Sequence, residues 1–234
     1  MEAKAFDGGP LTYFLIRPDN FRPDASYPLI ILLHGFGASM YDLASLAPAI
    51  NPTGYMYACP NAPYPLDGGG GQIGYSWSAG RPGMPDLAEA STGLAGPTAE
   101  ERLAGFLEEV TREAGTAPGR VMLAGFSQGG GLALRFGLPR PETFTGLVVM
   151  SGAFRAPEGV SDQLPSDRTM PIFMSHGLWD PMVTVQRGQE AKAFLEEAGY
   201  QPEYHEYEMA HEISEEVIYD LVPWVQRVLP PVAD

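Results

Sequence analysis

Gly125-Phe126-Ser127-Gln128-Gly129 sets a serine between two glycines, after the apolar run Val121-Met122-Leu123-Ala124 and before a segment of helical character. A sharp strand-to-helix turn at such a junction lifts the serine above a sheet, and the flanking glycines leave room for crowded backbone. A serine hydroxyl is a poor nucleophile at neutral pH, so this chemistry needs a base within hydrogen-bond reach and a carboxylate to orient the base. Downstream of Ser127 the histidines are His176, His205 and His211. His205 lies inside the strand-like Tyr204-His205-Glu206 and His176 ends an apolar run, so both suit structural roles. His211 sits in Met209-Ala210-His211-Glu212, a loop ahead of a helix, from which an imidazole can swing toward a serine. Among the acids, Asp180 follows a buried strand in His176-Gly177-Leu178-Trp179-Asp180-Pro181, and Pro181 stiffens the turn behind it. Asp162, Asp167 and Asp220 fall in an irregular loop or on a helix, where a solvated charge is the default. Ser127, Asp180 and His211 are therefore the candidate nucleophile, acid and base.

Acyl transfer from such a serine develops negative charge on the former carbonyl oxygen, and each preorganised N–H donor aimed at it contributes about 3 kcal/mol. The main-chain N–H of Gln128, next after the serine, is one candidate. Phe36 N–H, in the glycine-rich His34-Gly35-Phe36-Gly37, is the other, with His34 supporting that loop. Trp77 and Trp179 are the candidate substrate-contacting aromatics. The scheme calls for no metal and no organic cofactor.

These residues need a scaffold, and the apolar pattern supplies one. Leu11–Arg17, Pro28–His34, Tyr55–Cys59, Arg120–Phe126, Thr145–Met150, Pro171–Ser175 and Tyr204–Glu208 read as strands. Helices are expected at Tyr41–Ala47, Gln128–Phe136, Val185–Ala198 and Ser214–Val228, and another opens at the capping-box sequence Thr98-Ala99-Glu100-Glu101. Strands alternating with helices imply an α/β fold, with a mostly parallel sheet covered on both faces. From Asn61 to Gly96 the pattern dissolves into glycine and proline, including Gly68-Gly69-Gly70-Gly71 and Arg81-Pro82-Gly83-Met84-Pro85. This long loop is expected to be a lid or an acyl-pocket wall.

The 234 residues suffice for one sizeable core, so a single domain over 1–234 is expected. A formal charge of −15 without Lys/Arg clusters argues against nucleic acid and against stable association with anionic lipid. No apolar stretch approaches the roughly 20 residues needed to cross a bilayer. Met1-Glu2-Ala3-Lys4-Ala5-Phe6-Asp7 lacks the pattern of a secretory signal, so the expected location is cytoplasmic. Cys59 is the only cysteine, which excludes an intrachain disulfide and a cysteine-cluster metal site. The oligomeric state is not legible; a homodimer is compatible with everything above.

With these residues in view the chain resembles the phospholipase/carboxylesterase family, which includes the acyl-protein thioesterases. The likeness runs from about Pro28 to the end. It rests on Leu33-His34-Gly35-Phe36-Gly37, Pro60-Asn61-Ala62-Pro63, Gly125-Phe126-Ser127-Gln128-Gly129-Gly130, Leu147 to Gly152, His176 to Val183, and Met209-Ala210-His211-Glu212-Ile213. The resemblance implies an α/β-hydrolase fold without a separate cap domain, a Ser127–Asp180–His211 triad, and Phe36 and Gln128 as oxyanion donors. Two segments depart from the family pattern. Tyr75-Ser76-Trp77-Ser78 keeps a tryptophan without the Phe-Asp that usually follows it, and Glu208-Met209-Ala210-His211 replaces Gly-Met-Gly-His. The expectation is accordingly a serine carboxylesterase acting on small carboxylic esters, with an acyl-protein thioesterase or lysophospholipase as the alternative. A non-catalytic ligand receptor on the same fold is the reading from another class.

Overall fold

The apolar runs become neighbouring strands of one sheet. The computed structural model describes residues 1–19, 21–67, 71–79, 96–154 and 164–233. Its main sheet contains β1 (Glu2–Phe6), β2 (Tyr13–Arg17), β3 (Leu29–Leu33), β4 (Met56–Pro60), β7 (Val121–Phe126), β8 (Phe144–Met150), β9 (Ile172–Gly177) and β10 (Glu203–Tyr207). Their spatial order is β1-β2-β4-β3-β7-β8-β9-β10. β2 runs antiparallel to both its neighbours, and every pairing from β4 to β10 is parallel. A separate antiparallel hairpin joins β5 (Tyr64–Asp67) to β6 (Gln72–Ser76).

Successive strand residues point to opposite faces, so each apolar run feeds two cores. Leu29, Ile31, Leu33, Leu123 and Val149 pack on one face against α2 (Ala99–Ala114), α3 (Gln128–Gly137) and α4 (Val185–Glu197). Ile30, Leu32, Met122 and Val148 pack on the other, against α1 (Leu46–Ile50) and α5 (Glu215–Val228). Burying each such side chain contributes about 1.5–3 kcal/mol, which explains why the central strands carry no polar alternation. The α2 start is the expected capping box: Thr98 Oγ1 accepts the Glu101 N–H at 3.2 Å, and the Glu101 carboxylate accepts the Thr98 N–H at 2.7 Å. Among the described residues no element stands apart as a cap, and no helix is long and apolar enough to cross a membrane.

Three features differ from the sequence reading. β1 alternates Glu2 and Lys4 with nothing larger than the alanines Ala3 and Ala5, and four of its five residues are exposed, so its ladder with β2 is what makes it a strand. The helix expected at 41–47 forms about one turn later, as a 3-10 turn at Leu43–Ser45 continuing into α1. The segment read as one loop from Asn61 to Gly96 begins with the β5–β6 hairpin. Pro65 and Gly74 disguise those strands, which are ordered by main-chain bonds to a neighbouring turn more than by intrinsic propensity. The rest of that segment, at 68–70 and 80–95, lies outside the described residues.

Cys59 sits in β4 with 1% of its surface exposed, and burial pushes its thiol up to about 12. Since the thiolate is the reactive form, the native protein is expected to resist a disulfide reagent such as Ellman's at pH 8 and to react stoichiometrically once unfolded in guanidinium. Rapid labelling without unfolding would contradict this placement.

Candidate active site

The β3–β7 pair is where the chain's path across the sheet divides, with β4 on one side and β8, β9 and β10 on the other. In open α/β sheets ligands bind beyond the carboxyl ends of the strands at such a switch point. The candidate residues follow those ends: Phe36 after β3, Ser127 after β7, Asp180 after β9 and His211 after β10.

Ser127 occupies the N-cap of α3 with φ 55° and ψ −117°, a left-handed conformation rare for a residue with a side chain. Its N–H donates to Met150 O at 2.8 Å, which ties the turn to the end of β8. The turn closes tightly enough that a Cβ at Gly125 would overlap the Gly129 carbonyl, and one at Gly129 would overlap the Leu33 carbonyl. Those two glycines are therefore required by space.

The Ser127 hydroxyl lies 2.9 Å from His211 Nε2, and His211 Nδ1 lies 2.6 Å from Asp180 Oδ2. The carboxylate can only accept, so Nδ1 carries the proton and Nε2 presents its lone pair to the serine. The Asp180 side chain is completely buried and the His211 side chain is 18% exposed. A buried carboxylate needs hydrogen bonds, and Asp180 Oδ1 accepts the N–H groups of Met182 and Val183, each at 2.8 Å. His176, also buried, holds Val183 O through Nε2 at 2.7 Å and lies 3.7 Å from Asp180 Oδ2. The loops carrying Asp180 and His211 are laced together, with Leu178 N–H donating to Tyr207 O at 2.8 Å and Trp179 N–H to Met209 O at 3.1 Å. His205 remains on β10, its ring stacked on Phe173 with centroids 5.3 Å apart, and takes no part in this arrangement.

On the other side of Ser127, Gly35–Ala38 forms a turn in which Ala38 N–H returns to Gly35 O at 3.3 Å and Gly37 has φ +80°. That is type II geometry, which favours glycine at the third position. The His34 ring is neutral with its proton on Nδ1. Ala62 N–H donates to Nε2 at 3.0 Å, so Nδ1 donates to Gly35 O at 2.6 Å. Because the C=O and N–H of a trans peptide point in opposite directions, fixing Gly35 O turns Phe36 N–H outward. Neither Phe36 N–H nor Gln128 N–H, the latter in the unpaired first turn of α3, meets an acceptor among the described residues.

The two tryptophans part company. Trp179 is 63% exposed beside the acid, together with Met182 at 76%, which the sequence reading did not single out. Trp77, expected to face substrate, is 2% exposed, with its indole Nε1–H on His34 O at 2.9 Å. A side chain without free surface cannot line an acyl pocket, so that expectation is corrected. The Gln128 side chain, also overlooked, accepts the Trp77 N–H at 2.9 Å. No periodicity could have announced that contact, since it joins residues 51 positions apart.

A model of the phospholipase/carboxylesterase family matches residues 22–229. The chain belongs to this family. It is 37% identical over 117 residues to a probable carboxylesterase of Oryza sativa subsp. japonica, a stretch covering 49% of this chain and 44% of that relative. It is 29% identical over 219 residues to acyl-protein thioesterase 1 of Kluyveromyces lactis, covering 86% and 92%. The chain thus spans about half the length of the plant relatives it matches and nearly all of the Kluyveromyces protein. Among solved structures it is similar to esterase PE8, with TM-score 0.76, 28% identity, and 92% and 97% of the two chains covered. Arabidopsis thaliana SOBER1 superposes with TM-score 0.70 at 28% identity, covering 87% and 100%. These similarities place the sheet and helices in the α/β-hydrolase fold.

Burial holds the His34 imidazole below its ordinary value, against smaller opposing effects of Gly35 O and Asp42. Its contribution to stability is therefore complete above the unfolded value of about 6.5 and is lost as pH falls from there through the folded value. The urea midpoint should fall more between pH 7.5 and pH 5 in the wild type than in His34→Gln. Parallel behaviour of the two proteins would remove His34 as a source of acid lability.

Proposed function

We propose that this family member is a serine carboxylesterase, with Ser127 as nucleophile, His211 as base, Asp180 as the acid that orients it, and the N–H groups of Phe36 and Gln128 as oxyanion donors. The observation that carries the proposal is the continuous Ser127–His211–Asp180 hydrogen-bond chain, at 2.9 and 2.6 Å. Ser127 Oγ attacks the ester carbonyl while its proton passes to His211 Nε2. The tetrahedral oxyanion is held by the N–H groups of Phe36 and Gln128. Its collapse breaks the bond to the alkoxy oxygen, which leaves as the alcohol with the proton from Nε2. Water then attacks the acyl-serine, giving its proton to His211, and the second collapse returns that proton to Ser127 as the carboxylic acid departs. Asp180 accepts from Nδ1 throughout and so favours the imidazolium formed in each step. The chain acts in this scheme as a single catalytic domain on a small-molecule ester.

Thioester hydrolysis is the second reading, because the match to an acyl-protein thioesterase extends over 92% of that relative. The exposed Trp179 and Met182 are apolar surface suited to an acyl chain in either case. A pure ligand receptor is disfavoured, because it would have no use for a strained serine joined to an oriented imidazole.

Ser127→Ala is expected to lower kcat for p-nitrophenyl esters by at least about 10⁴-fold with an unchanged circular dichroism spectrum. Appreciable turnover by the folded variant would remove Ser127 from the mechanism. A chain-length series of those esters beside an acyl-thioester separates the two substrate readings through the ratio of kcat/KM values.

A further inference from the structure

The two oxyanion donors proposed above come from different elements, Phe36 from the turn after β3 and Gln128 from the head of α3. They must converge on one oxygen at about 2.7–3.1 Å, so their separation has to be held closely. The β3–β7 ladder ends at the Leu33–Gly125 pair, short of both donors. Something beyond the sheet has to fix them.

Trp77 touches both sides. Its indole Nε1–H donates to His34 O at 2.9 Å, at the root of the Gly35–Ala38 turn, and its ring lies 5.5 Å from the His34 ring. Its main-chain N–H donates to Gln128 Oε1 at 2.9 Å. The Gln128 amide group is fully engaged, since Nε2 also donates to Ser76 Oγ at 3.2 Å and Ser78 Oγ at 3.0 Å. The hairpin that carries Trp77 is itself fastened to the turn: Gly37 N–H donates to Tyr75 O and Tyr75 N–H to Ala38 O, each at 2.9 Å. Gly74 passes so close that a Cβ there would overlap the Gly37 carbonyl.

We propose that Trp77 is a positioning residue that sets the separation of the two oxyanion donors, by clamping the His34 carbonyl with its indole and the Gln128 side chain with its main chain. It never touches substrate. Any buried tryptophan must satisfy both N–H groups; what marks Trp77 is that its two acceptors, His34 O and Gln128 Oε1, belong to the two donor-bearing elements, and an acyl contact would need surface that Trp77 lacks. The inference rests on the proposed roles of Ser127, Phe36 and Gln128.

Two substitutions break the clamp from opposite ends. Trp77→Phe keeps an aromatic ring and removes the indole donor. Gln128→Met keeps side-chain length and the Gln128 main-chain N–H while deleting the amide bonds. Steady-state kinetics with p-nitrophenyl acetate should be combined with inhibition by a trifluoromethyl ketone, whose adduct with serine carries a tetrahedral oxyanion, and with thermal midpoints. Each variant is expected to lose about tenfold in kcat with little change in KM, part of the roughly 10²–10³-fold lost when an oxyanion donor is removed outright. Affinity for the ketone should fall by a similar factor. The double variant should lose less than the product of the single losses, because either break already frees the donors.

Folded variants with wild-type kcat and ketone affinity would overturn the proposal even if their midpoints fall. A rise in KM alone would make Trp77 a substrate contact and overturn it equally. If Trp77→Phe fails to fold, Gln128→Met, at a partly exposed position, decides by the same criteria. Labelling of the wild type by a fluorophosphonate at Ser127 separates the two levels of inference. Absence of that label sinks the hydrolase reading itself, whereas a labelled wild type with unmoved variants sinks only the clamp.

Discussion

At Ser127 the backbone takes φ 55° and ψ −117°, and most of the site's architecture serves to hold it there. A left-handed residue with a side chain costs on the order of 1–3 kcal/mol and persists only where its surroundings over-determine it. Here the surroundings are the buried β7, which delivers the chain to the turn, and the Met150 carbonyl, which accepts the Ser127 N–H. The α3 helix then carries the chain away over glycines that let the turn lie against the end of β3. The result is a partly exposed serine beside main-chain N–H groups that meet no acceptor among the described residues. Strain of this kind is compatible with stability because the two-sided core beneath it is far larger than the local cost.

The remaining groups are brought to that hydroxyl by loops that hold one another. Asp180 is fixed by Met182 and Val183 N–H, Val183 by His176, and the acid loop as a whole by carbonyls of the β10–His211 segment. The Phe36 side is held comparably, through Ala62, the His34 ring and the Gly35 carbonyl. Each chain begins on a strand or at a strand end and finishes one contact short of where the reacting atoms would lie. A site arranged this way is preorganised by main-chain hydrogen bonds more than by packing of the side chains that would do the chemistry.

What the sequence made legible follows from this division. Strands buried on both faces announce themselves through composition, so β3, β7, β8 and β9 were readable, and with them the loops carrying Ser127 and Asp180. His211 stood out as the candidate base by elimination, because His176 and His205 fall within strands, and it lies within hydrogen-bond distance of Ser127 and Asp180. The β5–β6 hairpin was not readable, since Pro65 and Gly74 look like breakers and its order comes from pairing with a turn distant in sequence. For the same reason Trp77 looked like a pocket wall. An isolated tryptophan in a glycine-rich stretch gives no sign that its indole N–H has an acceptor at His34, 43 residues earlier. Main-chain acceptors have no sequence signature, so the positioning contacts became visible only in three dimensions.

The central claim is that Ser127 carries an acyl group during turnover. Rapid mixing with an activated ester, acid quenching within the first turnover and mass analysis of peptides test it directly. A mass increase equal to the acyl group on the peptide containing Ser127, decaying at the rate of product release, is the predicted result. An unmodified Ser127 peptide during productive turnover under conditions where the acyl-enzyme should accumulate, or an acyl group on another residue, would contradict it.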